Sequence, residues 1–233
     1  LKALVITGAS RGIGFATAKY FAAQGFSVFN LARSPASGSN LTNIAVDLGS
    51  NNWQNVIRST LLPALENATQ IVLVHNAAAN IHDSVIDFSA AAFRRTLEVN
   101  IVAPAQLSHL VLPGMRAGSS IIYIGSTLGE IAVPNSCAYV TSKHALIGLM
   151  RSTCQDLVGT GIHTACVCPG FTDTEMLRQH VGNSEEVLQA IATAVTQKRL
   201  IQPAEIARTV YFCAENPVIN GAVIHANLGQ IQA

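Results

Sequence analysis

The residues with the plainest capacity for chemistry are Tyr139 and Lys143, in the stretch NSCAYVTSKHALIGLM that runs from Asn135 to Met150. The pattern around them predicts a helix over 136–158. Residues four apart lie one above the other on a helical face, so phenol and ammonium share a site. A cation beside a phenol favours its ionised form, which makes Tyr139 a candidate acid–base group near neutral pH. Ser126 stands just past the apolar run Ile121-Ile122-Tyr123-Ile124, and a hydroxyl at the end of such a strand is placed to hydrogen-bond a carbonyl oxygen. A Y-x-x-x-K pair alone is a common accident of helical sequence. Its meaning depends on what the rest of the chain brings to it.

A second group of residues opens the chain. The apolar run Leu4-Val5-Ile6 ends in Thr7-Gly8-Ala9-Ser10-Arg11-Gly12-Ile13-Gly14, after which Phe15, Ala18, Phe21 and Ala22 follow helical spacing. A glycine-rich turn between strand and helix lets backbone approach a pyrophosphate, whose charge the helix N-terminus favours. The end of the next predicted strand, 27–31, leads into Ala32-Arg33-Ser34. An NAD site usually holds a carboxylate there for the ribose 2′-hydroxyl, whereas a guanidinium pairs with a 2′-phosphate. Arg11 could reach the same phosphate; two solvated arginines are the plain alternative. Asp47, followed by Leu48, closes a third predicted strand over 43–46, where its carboxylate could meet an adenine amino group or cap the next turn.

Asn100 lies inside a helix predicted over 88–110, four residues before Pro104. The proline offers no N–H and would clash with the carbonyl of Asn100. A local distortion would free that carbonyl to hold a water; an ordinary kink with a solvent-facing asparagine is the alternative.

These residues need a scaffold, and short apolar runs alternating with amphipathic stretches supply one. Further strands are expected at 71–74, 121–124, 162–167 and 222–226, with helices at 53–65, 136–158 and 203–214 and a loop over 35–42. Strand–helix alternation with short links means a doubly wound parallel sheet with right-handed crossovers. No domain boundary, repeat or low-complexity tract interrupts the 233 residues, so a single α/β domain is expected, with an insertion over about 171–200 as a lid on the cleft.

Apolar residues make up 49% and charged residues 12%, and the net charge is +1. That balance points away from nucleic acid and anionic membranes, and a charge-poor surface is easier to explain if part of it is buried between subunits. No apolar run reaches the roughly 18 residues of a membrane span. No signal-peptide pattern follows Leu1, although the absent methionine leaves an upstream segment open. Five cysteines without a C-x-x-C pair favour a reducing compartment, and a cytoplasmic location is expected. Cys166 and Cys168 read as small core residues on one strand face. The seven histidines show no metal-ligand spacing, so no metal is expected. Asn40-Leu41-Thr42 and Asn67-Ala68-Thr69 match the glycosylation tripeptide and read as accidents.

Together the motifs resemble the short-chain dehydrogenase/reductase family, from the first strand to about Gly229. The carriers are Thr7-Gly8-x-x-x-Gly12-x-Gly14, Asp47, Asn76-Ala77-Ala78, Asn100, Ser126, Tyr139-x-x-x-Lys143 and Pro169-Gly170-x-x-x-Thr174. The resemblance implies a Rossmann-type sheet of seven parallel strands in the order 3-2-1-4-5-6-7. It also implies Tyr139 as general acid/base, Ser126 as the carbonyl-orienting hydroxyl, Lys143 on the phenol and the nicotinamide ribose, and Asn100 holding a relay water. NADP(H) contacts are expected at Gly8, Ser10, Arg11, Gly12, Ile13, Gly14, Arg33, Asp47, Leu48, Asn76, Ala77, Ala78, Tyr139, Lys143, Pro169, Gly170, Thr172 and Thr174.

Within the family, the stretches Pro169-Gly170-Phe171-Thr172-Asp173-Thr174-Glu175-Met176 and Asn220-Gly221-Ala222-Val223-Ile224-His225 are similar to the 3-oxoacyl-carrier-protein reductase type. His75 and Ala78 depart from the usual asparagine and glycine. Gly159-Thr160-Gly161 lacks a basic residue for an acidic carrier, and residues 197–203 depart from the usual glycine-bearing turn. The implied protein reduces a small-molecule carbonyl to a secondary alcohol as a homo-oligomer, a tetramer or dimer. A catalytically silent NADP-binding sensor or scaffold on the same fold is the alternative.

Overall fold

The computed structural model describes residues 1–38 and 41–230. Asn40, the first residue of one glycosylation tripeptide, lies outside them. Strands β1 (Lys2–Thr7), β2 (Ser27–Ala32) and β3 (Leu41–Ala45) form the first half of the sheet, with α1 (Gly12–Ala23) between β1 and β2. Short helices α2 (Trp53–Val56) and α3 (Leu62–Leu65) lead to β4 (Gln70–His75). Helices α4 (Ala90–Leu97) and α5 (Ala103–Val111) then precede β5 (Ser120–Ile124), and α6 (Cys137–Asp156) precedes β6 (His163–Pro169). Helices α7 (Glu175–His180), α8 (Glu185–Thr193) and α9 (Pro203–Glu215) come before β7 (Ala222–Ala226). All seven strands are parallel, in the order β3-β2-β1-β4-β5-β6-β7, as the family resemblance implied. The third strand begins at Leu41, two residues before its predicted start, because Leu41 and Thr42 pair with Val28 and Phe29.

Side-chain alternation divides the core between the two faces. On one face Ala3, Val5, Leu31 and Leu73 pack with Trp53, Ile57, Leu107 and Leu146 from the middle helices. On the other, Leu4, Ile6, Val28 and Val74 pack with Ala18 and Phe21 of α1 and Ile206 and Val210 of α9. Tyr211 of α9 meets Tyr20 and Phe21 edge-on at 5.3 and 5.1 Å between ring centroids. Each large apolar side chain fully buried this way contributes about 1.5–3 kcal/mol before conformational entropy is counted. Among the described residues no helix is long and apolar enough to cross a membrane.

Two helices are interrupted at corresponding places. A π turn at Glu98–Val102 joins α4 to α5, and another at Ile57–Leu61 joins α2 to α3. Each ends two residues before a proline, Pro104 or Pro63. A proline ring clashes with the carbonyl four residues back, here Asn100 or Ser59, and both lie inside their π turns. The residue before each proline donates five positions back instead, Ala103 to Glu98 and Leu62 to Ile57. The distortion expected at Asn100 is therefore present, and its counterpart before Pro63 divides the single helix expected over 53–65.

Candidate active site

The strands end along one edge of the sheet, and the residues singled out in the sequence gather there. At the end of β1, Gly8 and Gly12 take the left-handed conformation, with φ of 69° and 58°. Gly14 has no room for a side chain: a Cβ would lie 2.4 Å from Asn76 Nδ2 and 2.5 Å from the Gly8 carbonyl oxygen. This close approach lets Asn76, after β4, donate its amide to the carbonyls of Thr7 and Gly8 at 3.0 and 2.9 Å. Thr7 Oγ1 in turn accepts from the backbone N–H groups of Asn76 and Ala77. Helix α1 has neither a side-chain cap nor an acidic residue in its first turn, so its N-terminal amides are open to an anion.

Arg33 is exposed at the tip of β2. Arg11 pairs with Glu175 at 2.8 Å across two half-exposed side chains, a contact worth at most about 1 kcal/mol and easily exchanged for another. Thr174 packs against Gly12 and caps α7 through Leu177. Thr172 is buried and donates to the Gly170 carbonyl, while Gly170 and Pro169 close β6 beside Ala226. Ser10 donates to the Ser34 carbonyl. Leu48 is buried with Trp53 in the core, and Ile13 is partly buried on the opposite face. Asp47 accepts from the Gly49 N–H at 3.0 Å and from Arg95 at 3.0 and 3.2 Å. The Gly49 N–H, Arg95 and Arg33 together hold its carboxyl below the usual carboxylate range. The turn-capping alternative describes this arrangement.

Helix α6 carries the Tyr139 and Lys143 side chains. Lys143 is 3% exposed, its ammonium 2.7 Å from the Ile124 carbonyl oxygen and 5.4 Å from the centroid of the Tyr139 ring. An ammonium has three donors, and no carboxylate among the described residues pairs with this one. Ser126, one residue beyond Gly125 at the end of β5, accepts from the Leu128 N–H at 3.1 Å. No bond donated by its hydroxyl, and none made by the Tyr139 hydroxyl, is present among the described residues. Asn100 is 2% exposed, unlike a solvent-facing residue. Its amide accepts from the Ala79 N–H and donates to the Ala79 carbonyl and Ser142 Oγ, at 2.7–2.9 Å.

The sequence from residue 8 to residue 230 matches the family model described as Enoyl-(Acyl carrier protein) reductase. The chain belongs to the short-chain dehydrogenase/reductase family. It is 29% identical over 238 residues to the 3-oxoacyl-[acyl-carrier-protein] reductase FabG of Vibrio cholerae, covering 98% of this chain and 96% of that one. Among solved structures, the angucycline C-6 ketoreductase LanV with bound NADP shares 28% identity and a TM-score of 0.87, over 98% and 95% of the two chains. 4-Hydroxyisoleucine dehydrogenase complexed with NADH shares 26% and 0.83, over 98% of each. The family uses nicotinamide cofactors, and these two relatives differ in which one they hold.

The short-chain dehydrogenase/reductase frame also exposes residues that motif reading passed over. Asn30 on β2 is 1% exposed; it accepts from the Ala9 N–H and donates to Asn43, both at 2.9 Å, tying the glycine-rich turn to β2 and β3. A lone asparagine inside an apolar strand was the available signal, since buried amides are bonded. Arg95 and Asp83 act across 48 and 55 residues, and no local pattern announces such partners. His75, noted as a departure from the family, is buried between Ser108, 2.8 Å from its Nε2, and the Tyr123 ring at 4.9 Å. Burial pushes its pKa down to about 3. Cys166 and Cys168 are fully buried with sulfurs 3.8 Å apart.

Proposed function

We propose that this chain is an NADP(H)-dependent oxidoreductase that reduces a carbonyl, of ketone or 3-oxoacyl type, to a secondary alcohol with Tyr139 as proton donor. The observation that carries the reading is Lys143, a buried ammonium against the Tyr139 ring with no carboxylate partner among the described residues. A buried charge without a counter-charge is costly, and such groups concentrate where a ligand or a reacting group completes them. The open amides of α1 and the Gly14–Asn76 approach suit a dinucleotide laid over the first turn. When bound, the nicotinamide supplies the hydride that a carbonyl carbon accepts.

The chain supplies position and a proton. Ser126 donates its free O–H to the carbonyl oxygen, polarising it. Tyr139 Oη gives its proton to that oxygen as the carbon is reduced, and Lys143 favours the negative charge left on the phenol. A water on the Asn100 carbonyl, to which Pro104 offers no N–H, is assigned to returning the proton. Arg33, with Arg11 released from Glu175, recognises a 2′-phosphate, while Thr172 and Thr174 contact the nicotinamide carboxamide and the cofactor phosphates. Residues 171–200, which hold α7 and α8, serve as the lid.

Similarity to FabG and LanV supports a reductase, and the free cysteines suit a reducing compartment such as the cytoplasm. The test is NADPH absorbance with a panel of ketones, diketones and 3-oxoacyl thioesters. Turnover is expected on at least one; tight NADPH binding without turnover on any would favour a cofactor sensor.

A further inference from the structure

The start of α6 is held by a residue far from it in sequence. The helix begins at Cys137, two residues before Tyr139, and its N-cap Ser136 makes no side-chain capping bond. The first turn contains no acidic residue. Its first amides are satisfied instead by Asp83: the Cys137 N–H donates to the Asp83 carbonyl at 3.3 Å, and the Ala138 N–H donates to both carboxylate oxygens at 3.1 and 3.0 Å. The Asp83 N–H donates to the Asn135 carbonyl at 3.2 Å, so backbone and side chain grip the helix entry from both sides. A negative charge at a helix N-terminus is also favoured by the helix dipole.

The short segment before Asp83 is held at its other end too. Asn100 binds both backbone groups of Ala79 and also Ser142, which donates to the Tyr139 carbonyl at 2.7 Å. Residues 79–83 thus run from the Asn76-Ala77-Ala78 corner to the helix entry, bonded to α6 directly at Asp83 and through Asn100 at Ala79.

We propose that Asp83 is the positioning residue for Tyr139: it fixes where α6 begins and so where the phenol stands relative to Ser126 and the cofactor corner. This rests on the proposed role of Tyr139. A displacement of about 1 Å in a reacting group can cost a hundredfold in rate, so loosening the entry should act on kcat before it acts on binding.

The experiment compares the native chain with Asp83→Ala and Asp83→Asn, the latter keeping a side-chain oxygen as acceptor. Amide exchange is followed over the peptide 136–143, NADPH affinity by fluorescence, and kcat and KM with a carbonyl turned over by the native protein. Asp83→Ala should exchange faster there and melt about 2–4 °C lower, as for a lost helix cap. Its kcat should fall about tenfold or more, with KM and NADPH affinity within about threefold of native. Asp83→Asn should recover most of the rate and the protection. Faster exchange with native kcat, or equal losses in kcat and NADPH affinity, would overturn the positioning role, and unchanged exchange would overturn the tether itself. A native protein that reduces no carbonyl would refute the proposed function, and the exchange comparison would then decide the tether alone.

Discussion

Lys143 shows how little room the site leaves for substitution at single residues: its ammonium is buried, its backbone acceptor is on β5, and the Tyr139 ring lies 5.4 Å away. Arg33 is a different case, because it is exposed and acts only on what binds. An ionic contact to phosphate is worth about 1.5–3 kcal/mol where partly desolvated, and solvent screening takes Arg33 to the lower end. The field of Asp47, which feels Arg33, reduces it further. We expect native kcat/KM to favour NADPH over NADH by about tenfold, each 1.4 kcal/mol being a factor of ten. Arg33→Ala should shrink that ratio, and Ala32→Asp should lessen or reverse it by setting a carboxylate against the 2′-phosphate. Equal use of both cofactors by the native protein would mean that Arg33 points to solvent.

His75 makes its contribution at the level of elements, because its ring joins β4 to Ser108 on α5 and Tyr123 on β5. Its folded pKa of about 3 lies below the value of 6.5 for an unperturbed histidine. The folded state therefore refuses a proton that the unfolded chain takes up. The stability tied to neutral His75 is fully present above pH about 6.5 and is lost as pH falls towards 3, at up to about 1.4 kcal/mol per pH unit. Melting curves of the native chain and His75→Asn should diverge below pH 6, with the native chain falling faster; parallel curves would contradict the assignment.

The strands, their alternation and the motif turns were legible because they are local: apolar runs, glycines and a Y-x-x-x-K pair announce themselves within a few residues. The π turn at Asn100 was legible in part, since Pro104 lies within the same window. The matching turn before Pro63 has the same cause and escaped notice among the amphipathic spacing around it. The partners of Asn30, Arg95 and Asp83 were not legible, because they lie 13 to 55 residues away and only the assembled fold brings them together.

Across the whole molecule, the charge-poor surface carries several exposed apolar side chains. Val85 and Ile86 are 81% and 99% exposed, and Phe88, Val158, Phe212 and Val218 are also exposed. Large contiguous apolar patches mark contacts with another chain, and we propose that Val85, Ile86 and Phe88, close together in sequence, belong to one. We expect a homo-oligomer, most simply a tetramer of the 24.5 kDa chain, with the helices around α4–α5 and α6 at the contact. Light scattering at micromolar concentration should give the multiple, and a monomer mass would contradict it. Proton donation by Tyr139 is the step on which the proposed reaction depends. The most direct measurement is NADPH oxidation with a reducible ketone by the native chain and by Tyr139→Phe, together with NADPH affinity for both. The substitution should lower kcat by about a hundredfold or more, as for other oriented catalytic groups, with affinity essentially kept. Near-native turnover by Tyr139→Phe would contradict it.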